Sequence, residues 1–448
     1  MRAWLGDEAA PFFQALGAPE TGLRLNPRRG ALIELRERLP WSVTEVPWCP
    51  EGVWLQEEGA SPGPHPYHTA GVFYIQDPSA MAAAVLLDPR PGEWILDLAA
   101  APGGKSTHIA ARMGDEGVLV ANDPSRRRAP LLAMNLERMG VTQALVTHAS
   151  PAQLAEQWPA LFDAVLVDAP CSGEGTFAKD PRAVKAWSLR TLARYAARQR
   201  EILFNAARLV RPGGRILYCT CTFSPEEDEG VIAAFLEHTP GFRLAELPAL
   251  PGMSPGRPEW IDGPSILQRA GRFWPHRGPG HGHFYALLER EGEPDEDLSG
   301  RWTGQAVPGR VLRLYRETLG EVLMTPPPER GLILTADDAL FVTPMDPALW
   351  QGVSVLRPGW WVATQRHGKI FPDHALAMAL GPQDVRRVLR LEVEDPRLRT
   401  YLQGSSWVDE GPEGFLLITV EDFPLGWAKR VSGRVRSRYP VHLRRARL

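Results

Sequence analysis

The chain has 448 residues, a formal charge of −3 and four cysteines. That length suits two to four domains, each with its own core, and so few cysteines exclude a disulfide framework and fit a reducing compartment. No apolar run approaches the ~20 residues of a membrane span, and Met1-Arg2-Ala3-Trp4-Leu5-Gly6-Asp7-Glu8 has no signal-peptide core, so a soluble cytoplasmic protein is expected.

Residues 1–72 mix short apolar runs with turns, among them Leu23-Arg24-Leu25-Asn26-Pro27, and are expected to form a small N-terminal α/β domain. From about residue 80 to 210 strand and helix patterns alternate. Trp94-Ile95-Leu96 predicts a strand, 105–112 a helix, 118–121 a strand and 125–139 a helix. Strands follow at 144–147 and 164–167, then a long amphipathic helix at 189–209. The turn Arg211-Pro212-Gly213-Gly214 leads into the strand Arg215-Ile216-Leu217-Tyr218. This alternation implies a parallel, doubly wound sheet over 73–290. Residues 289–297 are acidic and read as a linker. Beyond them, 300–448 carries short β-type runs at 331–334, 340–342, 360–363 and 415–420, a strand-rich region of one or two modules. The last twenty residues, 429–448, hold eight Lys/Arg and no acid, with Tyr439 and His442 between them. That stripe suits RNA phosphates with a stacking surface and suits a solvated terminus equally well.

Arginine outnumbers lysine 45 to 5, so each lysine is worth following. One stands in Asp97-Leu98-Ala99-Ala100-Ala101-Pro102-Gly103-Gly104-Lys105-Ser106-Thr107, after the first strand of the alternating region. Glycines ahead of a helix let backbone approach a ligand closely, and the helix N-terminus favours negative charge. The dinucleotide pattern G-x-G-x-x-G is absent. A P-loop is matched at Gly104-Lys105-Ser106, but its first glycine is Ala99; Val165-Leu166-Val167-Asp168 could serve such a site as the acidic strand. S-adenosylmethionine fits better, with backbone contacts at the glycine turn and a ribose carboxylate after the second strand, where Asp123 stands. Asp123 also suits a helix N-cap ahead of Pro124.

Two cysteines sit just past strands, in Asp168-Ala169-Pro170-Cys171-Ser172-Gly173 and Thr220-Cys221-Thr222. Ligands of open α/β sheets bind at that edge, so paired thiols there suggest sulfur chemistry on a bound substrate. Cytosine carbon 5 is a poor nucleophile until a thiolate adds to carbon 6. The chemistry then needs a nucleophilic cysteine, a proton-handling group and a second basic group, since the carbon-5 proton must leave and the thiolate be expelled. A free thiol has a pKa of ~8.5, so nearby positive charge or hydrogen bonds must favour ionisation; Lys179, or the sulfonium itself, could supply the charge.

At these residues the chain resembles the Nol/Nop/Sun RNA cytosine-5 methyltransferases. The resemblance rests on the 99–105 loop, Asp168 to Gly175, Thr220-Cys221-Thr222, Lys179-Asp180-Pro181, Gln199-Arg200, Leu25-Asn26-Pro27 and Tyr74 to Ser79. Pro424-Leu425-Gly426-Trp427 and Lys429-Arg430 are similar to the PUA-like extension of the bacterial branch that modifies 16S ribosomal RNA. The resemblance implies a class I, Rossmann-like methyltransferase domain behind an RNA-contacting N-terminal domain, with S-adenosylmethionine as cofactor, small-subunit ribosomal RNA as partner and no metal. It makes Cys221 the nucleophile and Cys171 the residue aiding release, with Asp168 on the cytosine edge and Lys179 nearby. It assigns the cofactor to Ala99, Ala100, Ala101, Pro102, Gly103, Gly104, Lys105, Asp123, Arg128 and Asp168. One departure is His148-Ala149-Ser150, where the family usually has an Asp near the adenine. Cys219, where relatives often carry Ser, is expected to be structural.

Three alternatives stay open on sequence alone. A DNA cytosine methyltransferase would use Pro170-Cys171 as nucleophile and leave Cys221 idle. A tRNA cytosine-5 methyltransferase would share the chemistry. A P-loop-like RNA assembly factor would bind nucleotide without methyl transfer.

Overall fold

A computed structural model describes residues 1–17, 21–57, 59–178, 181–293 and 307–444. Short helices open the chain, followed by β1 (Gly22–Leu25), β2 (Val43–Glu45), β3 (Gly52–Leu55) and β4 (Phe73–Ile75) in the order β2-β3-β1-β4. β1 is central, with Leu23 opposite Val53 and Ile75. This sheet runs three residues beyond the break expected at 72. Helix α1 (Pro78–Leu87) is buried on all sides except at Val85, as its unbroken apolar sequence requires.

The large sheet is built from β5 (Trp94–Asp97), α2 (Gly104–Met113), β6 (Val118–Asn122), α3 (Ala129–Arg138), β7 (Ala144–Thr147), α4 (Pro151–Gln157), β8 (Phe162–Asp168), α5 (Leu189–Leu209) and β9 (Val210–Thr220). The strands run parallel in the order β9-β8-β5-β6-β7, and apolar clusters cover both faces. Strands buried on both sides must be continuously apolar, which is why the alternation was readable. The order reverses between β5 and β8, so their carboxyl ends flank the crevice where doubly wound sheets bind ligands. One expectation shifts: α3 begins at Ala129, not 125. Asp123 Oδ1 accepts Ser125 N at 2.9 Å in a turn of its own instead of capping the helix, and Pro130 fixes the first helical turn.

The sheet is also not wholly parallel. After α6 (Glu229–His238) come β10 (Phe242–Leu244), β11 (Met253–Pro255), β12 (Gly271–Phe273) and β13 (His283–Arg290). β13 lies antiparallel to β9 from Phe284↔Thr220 to Glu289↔Arg215. Downstream lie α7 (Gly309–Val322), β14 (Leu332–Leu334), β15 (Ala339–Val342), β16 (Val355–Arg357), β17 (Trp360–Arg366), β18 (Lys369–Pro372), β19 (Val388–Leu391), β20 (Ser406–Val408), β21 (Gly414–Val420), β22 (Phe423–Val431) and β23 (Arg434–Ser437). β16 crosses back to pair antiparallel with β7, so both sides of the parallel set are covered rather than left as open edges. β14, β15, β17 and β18 form one small sheet, and β19 to β23 another in the order β19-β21-β22-β23-β20. A single apolar cluster joins Leu23, Val53 and Phe73 to Leu416, Ile418 and Leu425, so the first and last sheets share a core.

The basic stripe is not a free terminus: 429–437 lies largely in β22 and β23. Tyr439 is buried against the rings of His374 and Tyr401 and so offers no stacking face. Arg430 is ion-paired with Asp409, whereas Arg434 and Arg436 are exposed. The expected linker begins inside β13, which runs to Arg290, and its residues 294–297, with Lys179 and residues 445–448, lie outside the described residues. Among the described residues no helix is long and apolar enough to cross a membrane.

Candidate active site

β8 and β9 are parallel neighbours, in register at Asp168↔Cys219, and each ends at the crevice. The chain after β8 turns back through Cys171, and the chain after β9 continues into Cys221. Their sulfurs are 3.3 Å apart. Both are half-buried and both are free thiols. The hydrogen bond to Cys221, and then burial, push the Cys171 thiol well above the ordinary range. Cys171 therefore keeps its proton beside the sulfur of Cys221.

Lys105, in the first turn of α2, reaches across the crevice and donates to Asp168 Oδ2 at 2.7 Å. Burial opposes the lysine's charge, but Asp168 outweighs it and holds the ammonium above its usual range. Burial likewise opposes the Asp168 charge, and Lys105 turns the balance so that the carboxylate stays ionised. Cys219 is buried and donates to Asp168 Oδ1 at 3.5 Å; burial, then Asp168, push its thiol well up. The lysine that could have met a triphosphate is thus committed to a carboxylate.

The 99–105 loop is held by backbone bonds. Ala100 N donates to Asn122 O at 2.8 Å, Ala101 N to Asp123 Oδ2 at 3.1 Å, and Asn135 Nδ2 to Pro102 O at 2.9 Å. Arg128 donates to Ala101 O and stands 3.6 Å from Asp123 Oδ2. Gly103 sits at φ 112°, a conformation that favours glycine, and a Cβ there would meet Leu132 Cδ1 at 3.1 Å. As N-cap of α2 it supplies no side chain, so the helix's first N–H groups are left for a ligand. Ser150 is occupied as the N-cap of α4, accepting Gln153 N at 3.3 Å. His148 Nδ1 donates to Asp123 O at 3.1 Å.

Several residues here escaped the sequence reading. Glu227, Asp228 and Glu229 are fully buried, although an acidic run usually faces solvent. Asp228 Oδ1 accepts Thr220 Oγ1 at 2.6 Å, beside Cys221. Glu229 Oε1 accepts Arg272 Nε at 2.8 Å, from 43 residues away. Asp77 and Ser79, in the motif that closes on Ser79, meet His281 and His283: Asp77 accepts His281 N at 3.0 Å and Ser79 Oγ lies 2.9 Å from His283 Nδ1. Burial, then Lys105, lower the His283 pKa to about 4.

A second cluster lies behind the loop. Cys49 Sγ donates to Glu51 Oε2 at 3.4 Å, His108 Nε2 is 3.6 Å from that oxygen, and Arg112 donates to Glu51 Oε1 at 3.2 Å. Arg112 balances the carboxylate, and the group ties the N-terminal sheet to α2. Burial, then Arg24, push the His108 pKa down to about 4, against the pull of Glu51. The unfolded chain, with histidine near 6.5, therefore binds the extra proton first as pH falls. His108 should cost about 2 kcal/mol of stability between pH 7 and pH 5. Thermal melts at both pH values should show a smaller acid loss for His108→Gln than for the natural protein; equal losses would remove His108 from the account.

The sheet order, the glycine turn leading into α2 and the thiol pair at the strand ends define a Rossmann-like methyltransferase. The family model described as 16S rRNA methyltransferase RsmB/F matches residues 84–289. Models of the RsmF N-terminal domain, first C-terminal domain and PUA domain match 1–78, 319–380 and 388–445. Ribosomal RNA small subunit methyltransferase F of Escherichia coli (strain SE11) is 32% identical over 442 residues, covering 92% of this chain and 87% of the relative. The Shigella sonnei protein of the same name is 31% identical with the same coverage. Among solved structures, a methyltransferase homolog protein from Pyrococcus horikoshii is 31% identical with a TM-score of 0.55, over 64% of this chain and 91% of that one. NSun6 from Pyrococcus horikoshii shares the fold at 23% identity and a TM-score of 0.57, over 65% of this chain and 97% of that one. The chain belongs to the family of ribosomal RNA small subunit methyltransferase F.

Proposed function

We propose that this protein methylates carbon 5 of cytidine in 16S ribosomal RNA through a covalent adduct with Cys221. The observation that carries this reading is the 3.3 Å contact between Cys171 and Cys221 just past the carboxyl ends of β8 and β9, beside an ionised Asp168. Cys221, as thiolate, forms a bond to carbon 6, and the displaced ring electrons make carbon 5 nucleophilic. Asp168 accepts a hydrogen bond from the exocyclic amine and orients the ring. Once carbon 5 carries its methyl group, its proton leaves to solvent, and as that C–H electron pair forms the carbon 5–carbon 6 double bond the carbon–sulfur pair departs onto Cys221, to which the Cys171 S–H donates a hydrogen bond.

The loop fits S-adenosylmethionine by the chemistry of its donors and acceptors. The uncapped N-terminus of α2 suits a carboxylate. The Asp123 carboxylate has lone pairs beyond those given to Ala101 N and Ser125 N, suiting ribose hydroxyls. When bound, that cofactor supplies an electrophilic methyl group. Asp123→Ala should weaken S-adenosylhomocysteine roughly tenfold, the weight of one hydrogen bond to a charged group, as read by calorimetry. Protection from melting by ATP and magnesium instead would favour the nucleotide-binding alternative.

The target base must be unpaired or flipped to expose carbons 5 and 6, and exposed arginines such as Arg434 and Arg436 suit phosphate contacts. The deciding experiment incubates the protein with methyl-labelled S-adenosylmethionine and small-subunit RNA, naked or assembled, from a strain lacking the gene. Label should enter the RNA, and bisulfite sequencing should find a protected cytosine. Labelled RNA without one would move the reaction to another atom.

A further inference from the structure

Cys221 and Cys171 are held in different ways. Cys221 follows directly on β9, and its carbonyl accepts Gly175 N at 2.9 Å. Cys171 lies in irregular chain, so strand pairing cannot fix it. The peptide groups on either side of it are gripped by side chains. Ser172 N donates to Glu227 Oε2 at 3.0 Å, and Gln199 Nε2 donates to Pro170 O at 3.0 Å. The two side chains are joined, Gln199 Nε2 also donating to Glu227 Oε2 at 2.8 Å. Both are fully buried, and Tyr218 OH anchors the Glu227 carbonyl at 2.7 Å.

We propose that Glu227, together with Gln199, is the positioning residue that keeps Cys171 against the sulfur of Cys221 for product release. This rests on the covalent reading above. The neighbouring Asp228 serves the other thiol through Thr220, so adjacent acids tune opposite halves of the reaction. A buried brace that only stabilised the fold would lower attack and release together. One that sets Cys171 leaves attack intact and slows release, because a sulfur shifted by a fraction of an ångström no longer meets the leaving thiolate.

The test compares Glu227→Ala, Glu227→Gln, Gln199→Met and Cys171→Ala in the full chain with small-subunit RNA. Three quantities are read: single-turnover methyl transfer, multiple turnover, and RNA–protein complex surviving denaturant. Glu227→Ala should keep single-turnover transfer within about twofold, lose roughly tenfold or more in multiple turnover, and accumulate the complex. Gln199→Met, whose similar shape guards against misfolding, should do the same more weakly. Glu227→Gln should behave like the natural protein, its amide oxygen accepting from both donors. If Cys171→Ala traps complex while Glu227→Ala and Gln199→Met do not, the proposal is overturned and the covalent reading stands. Parallel loss of transfer and turnover also overturns it. If Cys171→Ala traps nothing, the covalent role of Cys171 falls, and this proposal with it.

Discussion

Cys221→Ala is expected to abolish both methyl transfer and any covalent complex with RNA, a loss on the order of 10³-fold or more. Without sulfur at this position no bond can form at carbon 6. Cys171→Ala should fail differently. It retains the nucleophile, so attack and methylation proceed, but the departing sulfur lacks the S–H that stands 3.3 Å away. The protein should remain attached to RNA through Cys221 and appear as a gel-shifted species resistant to denaturant. Adducts formed by Cys221→Ala and lost in Cys171→Ala would exchange the roles and favour the arrangement of DNA enzymes. Unchanged methylation in both variants would leave the thiols structural and remove the covalent mechanism.

The sequence exposed this site because its parts sit at strand ends. β5, β6, β8 and β9 are buried on both faces and so are written as apolar runs, and whatever follows them lands at the crevice. Cys171 and Cys221, with Asp168 beside them, were legible on that ground, and the 99–105 loop by its glycines. The connections between distant segments were not. Val355-Leu356-Arg357 is too short and mixed to announce that it pairs with β7. Arg272 gives no local hint that it neutralises acids 43 residues earlier. Lys105 resembled a phosphate ligand in sequence; only the approach of β8 turns it toward Asp168. The stripe at 429–448 read only as basic, because its sequence does not show which of its charges are already paired: in β22 Arg430 is spent on Asp409, while in β23 Arg434 and Arg436 stay exposed.

Arg272→Met is expected to cost about 3–5 kcal/mol, the penalty for stranding buried charges by deleting one partner. Arg272 is 1% exposed. It stands 3.0 Å from Asp228 Oδ2, donates from Nε to Glu229 Oε1 at 2.8 Å, and lies 5.3 and 5.5 Å from the ring centroids of Trp260 and Trp274. Burial pushes the Asp228 pKa well up even with Arg272 beside it. It pushes Glu229 upward too, but Arg272 outweighs it and holds that carboxyl below its usual range. Without the guanidinium both folded-state values rise above the unfolded ones near 4. The variant's deficit should therefore shrink on acidification, when both acids fold as neutral groups, and grow toward pH 8. Denaturant melts at pH 5 and pH 8 would show it. Adding Asp228→Asn and Glu229→Gln should recover part of the loss at pH 8, since neutral groups no longer need the arginine. The same variant should slow attack by Cys221, because Asp228, released from Arg272, no longer fixes Thr220. A deficit under about 1 kcal/mol that is equal at both pH values would mean the buried acids carry no charge in the natural fold, and Arg272 would then act only as a filler among aromatic rings.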